Sequence, residues 1–554
     1  MKRLPLSNDD FRLVREANNY YIDKSLFIKD FLDYGTVATL ITRPRRFGKT
    51  LNMTMLREFL DVTKDSRSLF EDLAIMKTDY AETLNRIPVI FLTLKNCEAQ
   101  NINDLLWLLA SELFKEYEKY RNHFSNQMDL NVAAMENFEE TYKYLRKLVN
   151  SKTENDTPIV NNNYFKTMLD GLIHAISVFF GQNPIVLIDE YDQPILSAHK
   201  YGFRETFSEI YSNMLTRALK GNPYLRQVLM TGIQRVAKES IFSKLNHFMV
   251  YTVIDDKYAS RFGLTSEETR QALEDFNMEL TFEVRQYYDG YRFGNIEIYN
   301  PWSILSYIEK KKLKSYWMKT STNALIRESI LNADHVFKQS FERLIEEGVI
   351  TVNVNWEAAF IELKQTPTLW GLLLNAGYIT QVDFITDDLI SVKIPNQEAL
   401  KEFRSIIADY ANLDENRLTM LFHYLITGKM DEFLACYREI VYECVSYHDK
   451  PEQAYHSMFL GMAISLYGLY EWPQSNKEFG NGRADIVLKS KFPNQRPHMV
   501  IEFKVGDDLV KEKEDALVQI FKKKYFKTLH GPVLCVGIAH NGKDCDLIYE
   551  WVEQ

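Results

Sequence analysis

The sequence predicts an α/β protein in three parts: a parallel-sheet domain with a phosphate-binding loop, a helical middle or lid region, and a second α/β domain at the C-terminus. Three observations carry this. The apolar run Val37-Ala38-Thr39-Leu40-Ile41 leads through Arg43-Pro44-Arg45-Arg46-Phe47-Gly48-Lys49-Thr50 into a helix-like segment with Leu51, Met55, Leu56 and Phe59. Pro184-Ile185-Val186-Leu187-Ile188 is a second buried-strand pattern and ends in Asp189-Glu190. Far downstream, Asp485 precedes Ile501-Glu502-Phe503-Lys504 at hairpin distance. With 554 residues the chain exceeds one core, and about three domains are expected. We place their boundaries at 1–264, 265–400 and 401–554.

A strand turning tightly into a helix aims backbone N–H groups and the positive end of the helix dipole at one point, which favours a polyphosphate. Gly48 permits close backbone approach, Lys49 reaches the β- and γ-phosphates, and the Thr50 hydroxyl is placed to ligate Mg²⁺. Arg43 stands where GxxxxGK[ST] has its first glycine. Of the two acids ending the second strand, Asp189 is the candidate Mg²⁺ ligand and Glu190 the group that polarises an attacking water. The bland reading of each motif alone is a surface turn or a strand end with a helix cap.

The remaining elements follow in order. Asp23 and Ser25 suit a helix cap better than a nucleotide contact. Ile87 to Leu94 reads as another core strand, and residues 101–180 as helices with a polar break at 151–163. A helix near 207–219 precedes Gln227-Val228-Leu229-Met230-Thr231-Gly232, a strand whose Thr231 either senses the γ-phosphate or reflects β-propensity. Arg235 either reaches phosphate or pairs on the surface. From about 265 helical periodicity dominates, and the aromatic stretches 287–294 and 299–302 suit a lid or joint. Short strands are expected near 349–354 and 390–394.

In the C-terminal quarter, Glu502 and Lys504 lie two apart on a strand and share a face, with Ile501 and Phe503 toward the core. Pairing with the strand opened by Asp485 brings two carboxylates together as a hard-oxygen site for Mg²⁺, where Mn²⁺ also fits. Lys504 is placed to orient or deprotonate a water aimed at a phosphodiester. Gln519 and Tyr525 fall on the next helix. Lys522-Lys523-Lys524 reads equally as a nucleic-acid contact or a solvated helix face.

Composition sets the bounds. The chain is 46% hydrophobic and 26% charged, with 32 Tyr and 34 Phe, as a folded protein with several cores requires. Its five cysteines form no CxxC pair, which fits a reducing cytoplasm and gives no zinc module. Met1-Lys2-Arg3 opens onto polar residues, so no signal core is expected, and the apolar run 458–470 is too short to span a bilayer. A net charge of −10 offers no global attraction for nucleic acid, so any such binding needs a local patch.

Taken together, Tyr21-Ile22-Asp23-Lys24-Ser25, Arg43 to Thr50, Ile188 to Asp192, Ser240-Ile241-Phe242-Ser243, Tyr288-Asp289-Gly290-Tyr291, Gly482-Arg483-Ala484-Asp485 and Ile501 to Lys504 resemble a bacterial family. In it an AAA-ATPase-like P-loop domain is joined to a C-terminal PD-(D/E)XK, restriction-endonuclease-like domain. The resemblance covers nearly the whole chain and includes the Arg-Pro-Arg-Arg-Phe-Gly-Lys form of the loop. It implies ATP and Mg²⁺ bound by Arg45, Arg46, Phe47, Gly48, Lys49, Thr50, Asp189 and Thr231. It further implies a nuclease centre of Asp485, Glu502 and Lys504 supported by Gln519 and Tyr525, with an additional Glu that is either Glu452 or Glu478. The expected activity is ATP hydrolysis with metal-dependent cleavage of DNA or RNA. Homo-oligomers are compatible with it, and no membrane partner is expected. The rival reading is a nucleotide-switched regulatory or defence protein that binds nucleic acid or protein without cutting.

Overall fold

Strands of unbroken apolar residues must be covered on both faces, and this decides the first sheet. Strands β1 (Ala38–Thr42), β3 (Ile185–Asp189) and β4 (Gln227–Gly232) are buried along their whole length. With β2 (Val89–Thr93) and the short edge strand β5 (Met249–Tyr251) they form a five-stranded sheet in the order β2-β3-β4-β1-β5. Its pairings are parallel, with Ile41 beside Thr231 and Thr93 beside Asp189. The C-terminal ends of β1, β3 and β4 therefore lie together at one edge of the sheet, where open parallel sheets place their ligands.

The structure, a computed structural model, describes residues 2–553 apart from 7, 34–36, 125–131, 154–156, 235–246, 318–323, 332, 357–364, 411–414, 445–451, 464–465, 467–468 and 472. Arg235 and the stretch 240–243 lie outside the described residues. The chain divides into two compact units, one of residues 1–332 with 352–391 and the other of 333–351 with 392–554.

In the first unit, helices Ile102–Phe124, Ala133–Asn150 and Asn162–Phe180 fill the region expected to be helical. The region after 264 is mainly helical, as expected, with Ser266–Glu274, Phe282–Tyr288, Pro301–Lys310 and Thr366–Ala376 among its helices, and it also holds short strands that the sequence reading did not place. Strands β6 (Leu264–Thr265), β7 (Tyr291–Phe293) and β8 (Ile296–Tyr299) form a small antiparallel sheet. The aromatic residues at 288–299 were legible as packing groups, but their alternation over so few positions was too short to read as strands. Strand β10 (Thr380–Phe384) also belongs to this unit, while β9 (Val349–Asn353) and β11 (Leu389–Lys393) fall where the chain passes from one unit to the other.

The second unit is built on a mixed sheet of β12 (Gln474–Phe479), β13 (Gly482–Leu488), β14 (His498–Val505), β15 (Pro532–Asn541) and β16 (Asp544–Glu553), ordered as numbered. Only β14 and β15 run parallel, and the helix Leu509–Lys523 makes the crossover between them. Its Leu517 and Ile520 pack on Val500, Val533 and Cys535. Phe503, on the opposite side of β14, meets Phe459 of the helix Glu452–Ala463 at 5.6 Å. Among the described residues no helix is long and apolar enough to cross a membrane.

His540 on β15 is fully buried, stacked 4.0 Å from the Tyr455 ring and 3.0 Å from the Tyr437 hydroxyl through Nε2. Burial pushes its pKa down to about 3. The unfolded chain, with an ordinary imidazole, therefore binds the proton first as pH falls. The stability His540 contributes should be intact above about pH 6.5 and lost progressively toward pH 3. Denaturant titrations across that range should show a shallower acid loss in His540→Phe than in the unchanged protein.

Candidate functional site

Two centres assemble, one in each unit. In the first, β1 ends at Thr42 and the chain turns through Arg43–Gly48 into the helix Lys49–Leu60. Arg46 and Gly48 adopt left-handed backbone, φ +67° and +86°, which winds the loop tightly around its own N–H groups. Lys49 is buried, and its ammonium donates to the carbonyls of Arg43 and Pro44, each at 2.9 Å. Burial lowers its pKa, while the charges of Glu190, Asp189 and Asp192 work the other way.

Asp189 is the hub. Its carboxylate accepts from the Thr50 hydroxyl at 2.7 Å and from the Thr231 hydroxyl at 2.6 Å, and it is fully buried. Two strand ends and a helix start thus meet on one acid. Glu190 follows with φ +53°, a strained setting for a non-glycine residue and one that proteins tolerate chiefly at functional sites. Its carboxyl pKa is raised by burial and then by neighbouring Asp189. A hard hydroxyl oxygen beside a hard carboxylate at a helix N-terminus is a donor set that fits Mg²⁺ with a nucleotide phosphate.

The loop residues divide by role. The Arg43 side chain is fully buried rather than aimed outward. It donates to Thr42 O at 2.8 Å and Tyr251 O at 3.2 Å and lies over the Phe262 and Phe293 rings at 5.5 and 5.1 Å. Desolvation pushes its pKa down to about 10. The Phe47 ring is likewise buried, against Tyr291 and Phe293, so only its backbone is available at the loop surface. Arg46 is exposed and sits 4.3 Å over the Trp302 ring, and the Arg45 carbonyl accepts from the Trp317 indole at 3.0 Å.

Sequence reasoning missed Tyr191 and Asp192 as site residues. Asp192 accepts from the N–H groups of Ile233 at 2.9 Å and Gln234 at 3.2 Å, while the Tyr191 hydroxyl donates to Gln234 O at 2.6 Å. They pin the chain just after Thr231. A Cβ at Gly232 would come within 2.7 Å of the Tyr191 ring, so that close approach requires glycine. Their signal in the sequence was their adjacency to Asp189-Glu190 and their place in the stretch Ile188 to Asp192 that carries the family resemblance.

In the second centre, backbone pairing of β13 with β14 runs from Leu488·Met499 to Ile486·Ile501 and stops one step before Asp485 and Glu502. There the side chains take over. The Phe503 N–H donates to the Asp485 carboxylate at 2.8 Å, and the Asp485 N–H donates to the Glu502 carboxylate at 3.3 Å. Gln519 donates to Glu502 and, at 3.3 Å, to the Tyr525 hydroxyl. Lys504 Nζ lies 3.7 Å from Glu502 and 3.9 Å from Glu452, and donates to Phe503 O at 3.1 Å.

Burial, and then the Asp485 charge, push the Glu502 pKa up to about 8, with Lys504 opposing them. Glu452 is raised by burial as well, against the pull of Lys504. Of the two candidates for an additional glutamate, only Glu452 meets this cluster. Glu478 is exposed on β12, across from Arg483. His456, one helical turn beyond Glu452, was not anticipated. Its Nε2 donates to the Asp485 carbonyl at 3.0 Å and so fixes the strand at the point where it diverges.

Among the described residues no three His, Cys, Asp or Glu side chains form a ready-made metal cage. Asp485 and Glu502 offer two carboxylates, a set suited to Mg²⁺, which keeps waters and substrate oxygens in its shell.

The first unit is a P-loop α/β domain with a strand inserted between its two acidic and phosphate motifs, and the second carries a carboxylate pair and lysine on a mixed sheet. Comparison with known proteins gives the same two classes. Residues 5–242 match the family described as "Predicted AAA-ATPase", and residues 450–550 match the "PD-(D/E)XK nuclease superfamily". The chain thus combines an N-terminal AAA-ATPase-like region with a C-terminal PD-(D/E)XK nuclease-superfamily domain. An "Uncharacterized protein in vnfD 5'region" of Azotobacter chroococcum mcd 1 is 24% identical over 385 residues, 68% of this chain and 64% of that protein. The alignment therefore spans less than two thirds of that relative.

Arg43→Gly would bring the loop closer to the general glycine motif, yet it removes a buried side chain and its hydrogen bonds to the carbonyls of Thr42, Tyr251 and Lys257. It should cost about 3 kcal/mol, visible as a lower urea midpoint of the first unit.

Proposed function

We propose that the protein binds and hydrolyses ATP in its first unit and cleaves DNA or RNA phosphodiesters in its second, with Mg²⁺ at both centres and Mn²⁺ as a substitute in the second. The observation that carries the nuclease reading is the meeting of Asp485, Glu502 and Lys504 where β13 and β14 part. A structural salt bridge needs no such divergence. A buried acid with a raised pKa beside a second acid and a lysine, in a superfamily of nucleases, is a set with a chemical use.

In the first unit, Lys49 and the N–H groups of Arg45 to Thr50 take the phosphates, while Thr50 and Asp189 hold the ion. Glu190 orients the water, and Thr231 reads the terminal phosphate through Asp189. In the second, Asp485 and Glu502 hold the ion and Lys504 orients the water for attack. Gln519 and Tyr525 keep Glu502 turned toward it. When bound, Mg²⁺ neutralises phosphate charge and makes its water more acidic.

Lys49→Ala should reduce nucleotide binding and hydrolysis at least about 100-fold, or 2.7 kcal/mol in round terms. Glu502→Gln should reduce cleavage of labelled DNA or RNA by about 1000-fold while ATP hydrolysis persists. Full cleavage by Glu502→Gln would remove the site assignment. Binding without products in Mg²⁺ and Mn²⁺ would favour the non-cutting switch.

A further inference from the structure

The phosphate loop is held from a distant part of its own unit. The Trp317 indole N–H donates to the Arg45 carbonyl at 3.0 Å, across 272 residues of sequence. Trp317 is buried, with the Tyr291 ring edge-on at 6.0 Å and the Tyr378 ring at 6.2 Å. The chain beside it closes on the loop as well: a Cβ at Gly377 (φ +81°) would lie 3.0 Å from Pro44 Cβ and 3.3 Å from the Trp317 ring. The carbonyl of Tyr316, the preceding residue, accepts the Trp302 indole N–H at 3.1 Å, and Trp302 is the ring under the Arg46 guanidinium. Tyr316 and Trp317 thus fix both the carbonyl of Arg45 and, through Trp302, the side chain of Arg46.

Peptide geometry turns this grip into an orientation. In a planar trans peptide the C=O and the next N–H point in opposite directions. The carbonyls of Arg43 and Pro44 face the Lys49 ammonium, whereas the Arg45 carbonyl turns to the indole. The Arg46 N–H is therefore turned away from Trp317. Neither it nor the Phe47 N–H meets an acceptor among the described residues. Left-handed Arg46 and Gly48 wind these N–H groups into a concavity of the kind that takes anions. The arrangement opposes the local preference, because φ +67° at Arg46 is disfavoured for a residue with a Cβ. A half-turn of the Arg45–Arg46 peptide would relieve that φ, and would aim a carbonyl oxygen where the N–H now stands. The indole hydrogen bond is what such a flip breaks.

We propose that Trp317 is a positioning residue of the nucleotide site: its indole holds the Arg45–Arg46 peptide with the Arg46 N–H toward the phosphate chain, without touching the ligand itself. The inference rests on the nucleotide-binding reading of the loop. Trp317 lies beyond the residues 5–242 that match the ATPase-like family, so the geometry of the loop is completed by a later part of the first unit. The ligand feature it serves is the polyphosphate, not the base.

The test uses the full chain with Mg²⁺ and either ATP or inorganic tripolyphosphate, titrated by calorimetry well below the unfolding transition and near pH 8, where imidazole is neutral. Trp317→Phe keeps an aromatic ring and loses the donor, and it should weaken both ligands about tenfold. Trp317→His should lose no more than about threefold, because imidazole Nε2–H stands where indole Nε1–H stood on the same five-membered ring. Packing alone predicts the reverse order, since His fills less of the space between Tyr291 and Tyr378, and that order would overturn the proposal. β-(3-Benzothienyl)alanine incorporated at position 317 keeps the shape of the indole and puts sulfur in place of the N–H. It should match the Phe variant, and it decides the matter even where Trp317→Phe does not fold. Unchanged affinity with it would show that the bond is idle, with the loop reading intact. Weaker ATP but unchanged tripolyphosphate would move the effect to the nucleoside and equally overturn the proposal. If the unchanged protein binds neither ligand, the nucleotide reading falls and takes the proposal with it.

Discussion

Both centres depend on one constraint: a carboxylate drawn into a β-sheet must find donors there or lose its charge. Asp189 is fully buried and takes hydroxyls from two different neighbouring segments. The arrangement is possible only because β4 lies between β1 and β3, so that Thr231 and Thr50 approach it from separate directions. Asp485 and Glu502 solve the same problem differently. The backbone ladder stops, and each carboxylate accepts an N–H from the opposite strand in place of a carbonyl. The first centre is reached by topology and the second by local unzipping of a hairpin.

The phosphate loop shows what replacing a glycine entails. A loop with glycine at its first position is positioned by backbone alone, whereas here Arg43 anchors the loop from beneath by hydrogen bonds and two aromatic faces. Phe47 anchors the other end in the same aromatic group, through Phe293. Gly263 contributes an N–H to the Phe47 carbonyl at 3.0 Å. The small β6-β8-β7 sheet is thus the floor on which the loop is held. A buried cation is costly in general, and here carbonyl oxygens, ring faces and the charge of Asp255 take over much of what water supplied.

What could be read in the sequence were features that short spacing carries. Lys49 and Thr50 follow a strand, Asp189 and Thr231 end strands, and Glu502 and Lys504 share a strand face. Parallel pairing then had few ways to assemble them. The structure brings Lys49, Thr50, Asp189, Glu190 and Thr231 to one sheet edge, and Asp485, Glu502, Lys504, Gln519 and Tyr525 to one pocket. Legibility failed where the deciding contact is long-range. Arg43 looked like a departure from a motif because its partners, Tyr251 and Phe293, are about 200 residues away or more in sequence. Glu452 and Glu478 were equivalent as letters, and only the packing of the helix Glu452–Ala463 against β14 separates them. His456 was unremarkable until its ring met the Asp485 carbonyl.

The position of Lys49 bears on what the first centre can accept. Its ammonium is buried and already satisfied by two neutral carbonyls, Arg43 O and Pro44 O. A ligand that draws it away must offer more than those bonds. Those bonds already have a charged donor, so a polyphosphate could win the exchange only by adding attraction between opposite charges, which a neutral ligand of similar shape does not offer. The nearby acids sharpen the discrimination. Glu190, Asp189 and Asp192 all act on Lys49, and an anion entering among them is repelled unless a divalent cation comes with it. On the nucleotide-binding function proposed above, the site would select against bare phosphate as well as against neutral ligands. A phosphate chain accompanied by a divalent cation would satisfy the lysine and the acids at once.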